Sequence, residues 1–311
     1  MTLRCVASGL GFPEGPIVDD DGSVLVSEIA NGRISRVRPD GAVETFAETG
    51  GGPNGLARLP DGRILVCQNG GSRFAIRPWP FDIDGSVPLF LPAGAPDQPI
   101  TPQLQVVSSE GEATTLTTTF TSISDDELPL ARPSDICVDA QGGFYVTDGF
   151  SVQGRSRSIT GVLYGTPDGQ LSEIVYPLEL PNGVALSPDG SKLYVAETRT
   201  RRIWQFEVLG PGRLGAARGL ATVPSGGPMN FGGADGLCVA PDGTIIVATV
   251  GTGGVTAFSP DGQLLGAIAA DDPMTTNVAL SHDGCSLFIT LASSGRLVVV
   301  DDWRTALTPI P

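Results

Sequence analysis

The sequence predicts an all-β fold, a six-bladed β-propeller closed by pairing of the N- and C-terminal strands in one blade. The first observation is a register. Six times a polar residue stands eight positions before the glycine of an Asp-Gly or Gly-Gly turn. The six are Glu14, Asn54, Ser134, Asn182, Asp235 and Thr276, ahead of Gly22, Gly62, Gly142, Gly190, Gly243 and Gly284. The second is a period: those glycines are 40, 80, 48, 53 and 41 residues apart, and a four-stranded blade takes about 40 to 50 residues. Five such steps, one carrying an insertion, make six blades. The third is composition, since 42 Gly and 26 Pro with no long apolar run at helical spacing describe short strands joined by turns. The even register favours one domain over residues 1–311 rather than two β-sandwiches.

Taken in order, each unit opens with an inner hairpin of two apolar strands around its turn. These read GPIVDDDGSVLVSE, NGLARLPDGRILVCQ, DICVDAQGGFYVTD, NGVALSPDGSKLYVAE, DGLCVAPDGTIIVAT and NVALSHDGCSLFIT. Outer hairpins of matching character occupy 32–48, 104–120, 161–177, 202–223 and 253–269. The sixth unit has only GRLVVVDD at 295–302 before the chain nearly ends. LRCVASG at 3–9 is expected to supply its missing outer strand and so remove an open edge. Residues 77–103, proline-rich and carrying Trp79, Phe81 and Phe90, form the insertion. Loops this long in a compact domain are usually functional or disordered, and rigid prolines with three aromatics favour an ordered lid over one end of the ring. SGGPMNFGG at 225–233 leads into Asp235 and is placed at the same mouth.

Composition excludes several partners. A net charge of -15 argues against nucleic acid and against an anionic membrane surface. No charged-then-apolar leader and no run of 18 apolar residues is visible, so the expected location is cytoplasmic. Nothing fixes an oligomeric state. Five cysteines (Cys5, Cys67, Cys137, Cys238 and Cys285) have no zinc-like spacing, and no disulfide is assigned. Cys137 and Cys238 stand three residues after Ser134 and Asp235, which predicts core-facing strand positions.

In a ring the six register positions converge on the axis. Glu14, Asn182 and Asp235 form the best ligand set there, with two carboxylates and one amide oxygen. Hard oxygens suit a single divalent cation, Ca2+ first, with Mg2+, Mn2+ or Zn2+ as alternatives. Three protein ligands leave positions for water and substrate, as catalytic ions require. The sole histidine, His282, stands in a turn where other repeats have proline. That placement sets aside a Ser-His-Asp triad and a histidine-ligated metal. No serine has a strand–GxSxG–helix context, and no glycine loop opens a helix to cradle phosphate.

With FPEGP at 12–16, LPNGVALSPDG at 180–190 and GADGL at 233–237, the chain resembles the SMP-30/gluconolactonase/LRE-like family of six-bladed propellers. The resemblance spans nearly the whole chain and is weakest over 77–103. It implies a metal-dependent hydrolase, in most members a lactonase, with the family's glutamate, asparagine and aspartate ligands falling on Glu14, Asn182 and Asp235. The family's Arg-x-Asn-Asp stretch, which contacts substrate, reads Arg132-Pro133-Ser134-Asp135, so Ser134 replaces an asparagine. A hydroxyl reaches less far and ligates more weakly than an amide carbonyl. Asn54 matches a pocket-lining asparagine of many relatives.

The expected substrate is thus a small lactone or ester, bound by Asn54, Arg132, Ser134 and Asp135. Asp235 is the expected catalytic residue, as ligand and proton acceptor. Two alternatives stay open at the sequence level: phosphotriester or other ester hydrolysis at the same site, and a non-enzymatic propeller whose ion only stiffens the ring. The metal-free strictosidine-synthase-like branch is disfavoured by the intact Glu/Asn/Asp set.

Overall fold

The structure is a computed structural model that describes residues 3–78, 88–149, 152–153, 156–157, 159–225 and 233–309. Six antiparallel sheets follow one another along the chain. Blade 1 comprises Pro13–Val18, Val24–Glu28, Arg33–Val37 and Val43–Glu48, from inside outward. Blade 2 is built likewise from Pro53–Arg58, Ile64–Gln68, Gln103–Val107 and Ala113–Thr117. Blades 3, 4 and 5 start at the inner strands Pro133–Val138, Pro181–Leu186 and Gly233–Val239. Blade 6 runs Thr275–Leu280, Leu287–Leu291, Arg296–Val300, and takes its outermost strand from the other end of the chain: Arg4–Ser8 pairs antiparallel with Arg296–Val300. The predicted closure is therefore present. Successive inner strands pack side by side, and the sixth packs against the first.

The turns explain the register. All six glycines that end the eight-residue spacing have positive φ, between 69° and 89°, a region where a side chain is strained. Second strands are buried on both faces because each blade is covered by two neighbours, and Val24–Glu28, Ile64–Gln68 and Phe144–Asp148 are buried throughout. Among the described residues, six apolar clusters fill the interfaces between neighbouring blades, one in each, and a seventh lies under the insertion hairpin. Leu25 and Ile34 of blade 1 meet Leu56 and Val66 of blade 2, for example, and Ile246 and Ala257 of blade 5 meet Ile289 and Val298 of blade 6. Burial at about 25 cal/mol per Å² of apolar surface thus holds blade to blade, and the axis is left to polar groups.

One boundary differs from expectation. The outer hairpin predicted over 104–120 ends at Thr117. Thr119–Thr121 and Glu127–Pro129 instead extend the outer edge of blade 3, where Thr121 pairs parallel with Ser172. An outer edge offers unpaired backbone groups, and this short hairpin covers one. Of the insertion, Trp79 and Phe81 lie outside the described residues. Its ends form a two-stranded hairpin, Phe74–Pro78 with Pro88–Pro92. Leu89 and Leu91 are buried with Phe12, Ile29 and Ala292. Phe90 stacks on Phe74 (centroids 5.1 Å apart), Phe74 lies 5.0 Å from Phe12, and the Phe90 N–H donates to Ser293 Oγ at 3.1 Å. The hairpin from blade 2 is thereby anchored on blades 1 and 6. No described helix is long and apolar enough to cross a membrane.

Candidate metal and substrate site

All six inner strands carry a β-bulge at the same place. The register with the second strand shifts between Glu14 and Ile17, Pro53 and Leu56, Pro133 and Ile136, Pro181 and Val184, Ala234 and Leu237, and Thr275 and Asn277. A bulge releases residues from the ladder and re-aims their side chains. In blades 2 to 5 the released residues are the register position and the one that follows. In blade 1 Glu14 still pairs with Ser27 and the release falls on Gly15 and Pro16, and in blade 6 Thr276 alone is released while Asn277 pairs with Thr290.

The residue after the register position is Gly15, Gly55, Asp135, Gly183, Gly236 and Asn277 around the ring. The glycines have a steric cause. A Cβ at Gly15 would stand 2.5 Å from the Asn54 carbonyl oxygen, and one at Gly183 2.5 Å from that of Asp235. At Gly55 it would stand 2.6 Å from Asp135 Oδ1, and at Gly236 2.6 Å from Asn277 Nδ2. Two facing blades, 3 and 6, therefore send Asp135 and Asn277 into spaces that the preceding blades leave open.

Hydroxyls on and beside the second strands fix the bulges. Ser27 Oγ donates to the Asn54 carbonyl at 2.6 Å, and Thr198 Oγ1 to that of Ala234 at 2.6 Å. Thr147 Oγ1 accepts the Asp135 N–H at 3.0 Å and also bonds the Asn182 carbonyl. Thr276 Oγ1 donates to the Pro13 carbonyl at 3.1 Å, across the ring closure. All but the Asp135–Thr147 bond, which lies within blade 3, tie one blade to the next beside a register residue.

Three carboxylates meet at the axis with little to neutralise them. Glu14, Asp135 and Asp235 are all buried. Burial pushes Glu14 up to about 7, against hydrogen bonds from the Gly15 N–H and from Asn277 and Thr276. Burial and then the Glu14 charge push Asp135 up to about 8, opposed by the N–H groups of Ile136 and Val184 and by Asn277. Asp235 is held well above its ordinary value, first by burial and then by Glu14 and Asp135. Its Oδ1 is buried without a hydrogen-bond partner. The side-chain amides of Asn54 and Asn182 make no hydrogen bond among the described residues, though both backbone carbonyls do.

Those observations test whether a cation fits. An orphaned carboxylate oxygen beside two further carboxyl groups, with no basic partner among the described residues, is the donor set a hard divalent ion takes. Among the described residues no trio of His, Cys, Asp or Glu has metal-binding spacing.

Arg132 precedes the blade 3 inner strand. Asp148, at the end of the neighbouring strand, accepts the N–H groups of Ala131 (2.9 Å) and Arg132 (2.7 Å) and so sets the loop. The guanidinium donates to Ser72 Oγ at 2.9 Å and pairs with no carboxylate among the described residues. Ser134 is buried next to it.

A cavity of about 340 Å³ adjoins the carboxylates, lined by Asp135, Asn277, Pro16, Cys137, Cys238 and Leu280 among others. Cys137 and Cys238 are half-buried and pack, as expected, against the apolar cores between blades 3 and 4 and between blades 5 and 6, while also bordering this cavity. His282 sits as expected in an exposed turn, its Nδ1 3.6 Å from Asp20 Oδ1. Of the loop at 225–233, residues 226–232 lie outside the described residues.

Sequence reasoning missed Asn277, Thr147 and Asp148. A signal for Asn277 existed: the position after the register residue is glycine in four blades, and Asp135 and Asn277 stand out against it.

The chain is similar to known proteins. A lactonase, drp35, from Staphylococcus saprophyticus is 29% identical over 262 residues, covering 82% of this chain and 68% of its own length. A gluconolactonase from Zymomonas mobilis is 26% identical over 326 residues, covering 93% and 78%. A solved gluconolactonase from Xanthomonas campestris superposes with a TM-score of 0.74 at 24% identity, over 96% of this chain and 89% of that one, which speaks to the fold. Residues 12–293 match the family described as SMP-30/Gluconolactonase/LRE-like region, and the chain belongs to that family of hydrolytic propellers.

Proposed function

We propose that the protein opens a lactone, a cyclic ester, with the help of one divalent cation held by Glu14, Asn182 and Asp235. The observation that carries this reading is the buried, partnerless Asp235 Oδ1 among three crowded carboxyl groups. Ca2+ is the first choice of ion, since hard oxygen donors with room for water suit it. When bound, such an ion polarises the ester carbonyl and stabilises negative charge that develops on its oxygen.

The protein's own groups do the rest. Asp235, ligand and catalytic residue, takes the proton of the attacking water with a carboxylate that has no internal hydrogen bond at Oδ1. Asn54, whose amide has no hydrogen bond among the described residues, bonds substrate hydroxyls. Arg132 has no carboxylate partner among the described residues and offers its fork to an oxygen-rich substrate. Ser134 and Asp135 border the same space, and the hairpin seated on blades 1 and 6 narrows access by bulk water. The domain works as a single propeller of residues 1–311 with this hairpin as a cover.

The experiment is metal analysis of untreated protein, with turnover of γ- and δ-lactones and of organophosphates measured before and after chelation. Lactone turnover lost on chelation and restored by Ca2+ is expected. Asp235→Ala and Asn182→Ala are expected to lower it at least about 100-fold. Full turnover in either variant would remove the basis of the reading.

A further inference from the structure

Asn277 lies at the axis and belongs to none of the roles above. Every polar group it has but one is fixed by its own blade. Its N–H donates to Thr290 Oγ1 at 2.8 Å, and its carbonyl accepts from the same hydroxyl at 3.2 Å. Its Oδ1 accepts the Val278 N–H at 2.8 Å. That bond fixes the orientation of the amide, because only the oxygen can accept. The NH2 group is left, and it lies against Gly236, where the missing Cβ makes its seat. Two carboxyl side chains border the same space. Asp135, in the blade opposite, lines one cavity with Asn277 and Gly15, and Glu14, in the next blade, is held alongside by the bond from Thr276 to the Pro13 carbonyl.

From this geometry we propose that Asn277 is a positioning residue for the cation site, its NH2 group holding the Glu14 carboxylate and tying it across the axis to Asp135. The inference rests on the reading that Glu14 ligates a cation. An amide suits the task because it donates without adding charge. A lysine would compete with the cation, and an aspartate would add a fourth carboxylate to three. The pattern around the ring fits: blades 2 and 5 carry glycine where the side chains of blades 3 and 6 must lie, so Asp135 and Asn277 close the channel from opposite sides. The Glu14 rotamer is then set before any ion arrives. Groups that orient metal ligands are typically worth 10- to 100-fold in affinity.

The test is direct cation binding, by calorimetry with Ca2+ and by Tb3+ luminescence, on the chelator-treated whole chain. Wild type is compared with Asn277→Ala and Asn277→Ser, well below their melting temperatures. The expected result is weaker binding, about 10- to 100-fold for Ala and less for Ser, whose hydroxyl donates but reaches only one carboxylate. Thermal melts in chelator check that both variants are folded, and Ser serves if Ala is not. Lower melting temperatures with wild-type affinity would make Asn277 a packing residue and overturn the proposal alone. A wild type that binds neither ion would overturn the cation reading as well.

Discussion

At the scale of single residues, the site is a problem of charge and reach. Glu14, Asp135 and Asp235 are brought into one buried space by bulges, and the shifts of all three have burial as their largest cause. Ser134 is the register residue of blade 3, where an asparagine would present a carbonyl oxygen one bond further out. The space for it exists beside Gly149, whose missing Cβ would stand 2.8 Å from Ser134 Oγ. Ser134→Asn is therefore expected to add a ligand and to tighten Ca2+ binding by about 3- to 10-fold, since ligand number tunes affinity in such sites. Calorimetry on the chelated protein checks it. Unchanged or weaker binding would mean that the blade 3 register position does not face the ion.

At the scale of elements, the hydroxyl on one second strand does what no local propensity describes. Thr147 is fully buried, takes the Asp135 N–H and bonds the Asn182 carbonyl of the next blade. Thr147→Val keeps the shape and removes the hydroxyl, leaving one buried donor and one buried acceptor unpaired. A stability loss of about 1–3 kcal/mol is expected from chemical denaturation. A roughly 10-fold loss of turnover should accompany it, because two bulges that carry site residues lose their tie. Stability lost without any loss of turnover would make the tie purely structural. This element also shows where the sequence is legible. The strands, the turns and the closure by residues 3–9 are written in local pattern, because positive-φ glycines and period-two apolarity are consequences of neighbours in the chain. So is the convergence of Glu14 and Asp235, through the register. Thr147, Asp148 and Asn277 are not legible in the same way, because their partners sit in other blades or in bulges that shift alternation by one residue.

At the scale of the whole molecule, the six inter-blade cores hold a ring whose centre opposes them unless it is neutralised. Glu14 and Asp135 have their folded values raised, to about 7 and about 8, from ordinary values of 4.5 and 3.8. A raised carboxyl binds its proton more tightly in the native state. Its stabilising contribution is complete below the unfolded value and is lost as pH rises through the folded one. The chelated protein is therefore expected to melt at progressively lower temperature between about pH 4.5 and pH 8, as protons leave and like charges face one another. A divalent ion replaces those protons. It binds more tightly as pH rises, because the ligands must be deprotonated, and it stabilises the native state by mass action. The gap in melting temperature between Ca2+-loaded and chelated protein should thus be small near pH 5 and widen steadily to pH 8.5. Melts at five pH values with and without chelator measure it. A gap that stays constant over this range would mean that the ion binds away from Glu14 and Asp135, on the outside of the ring, and the axial carboxylates would then need another counter-charge.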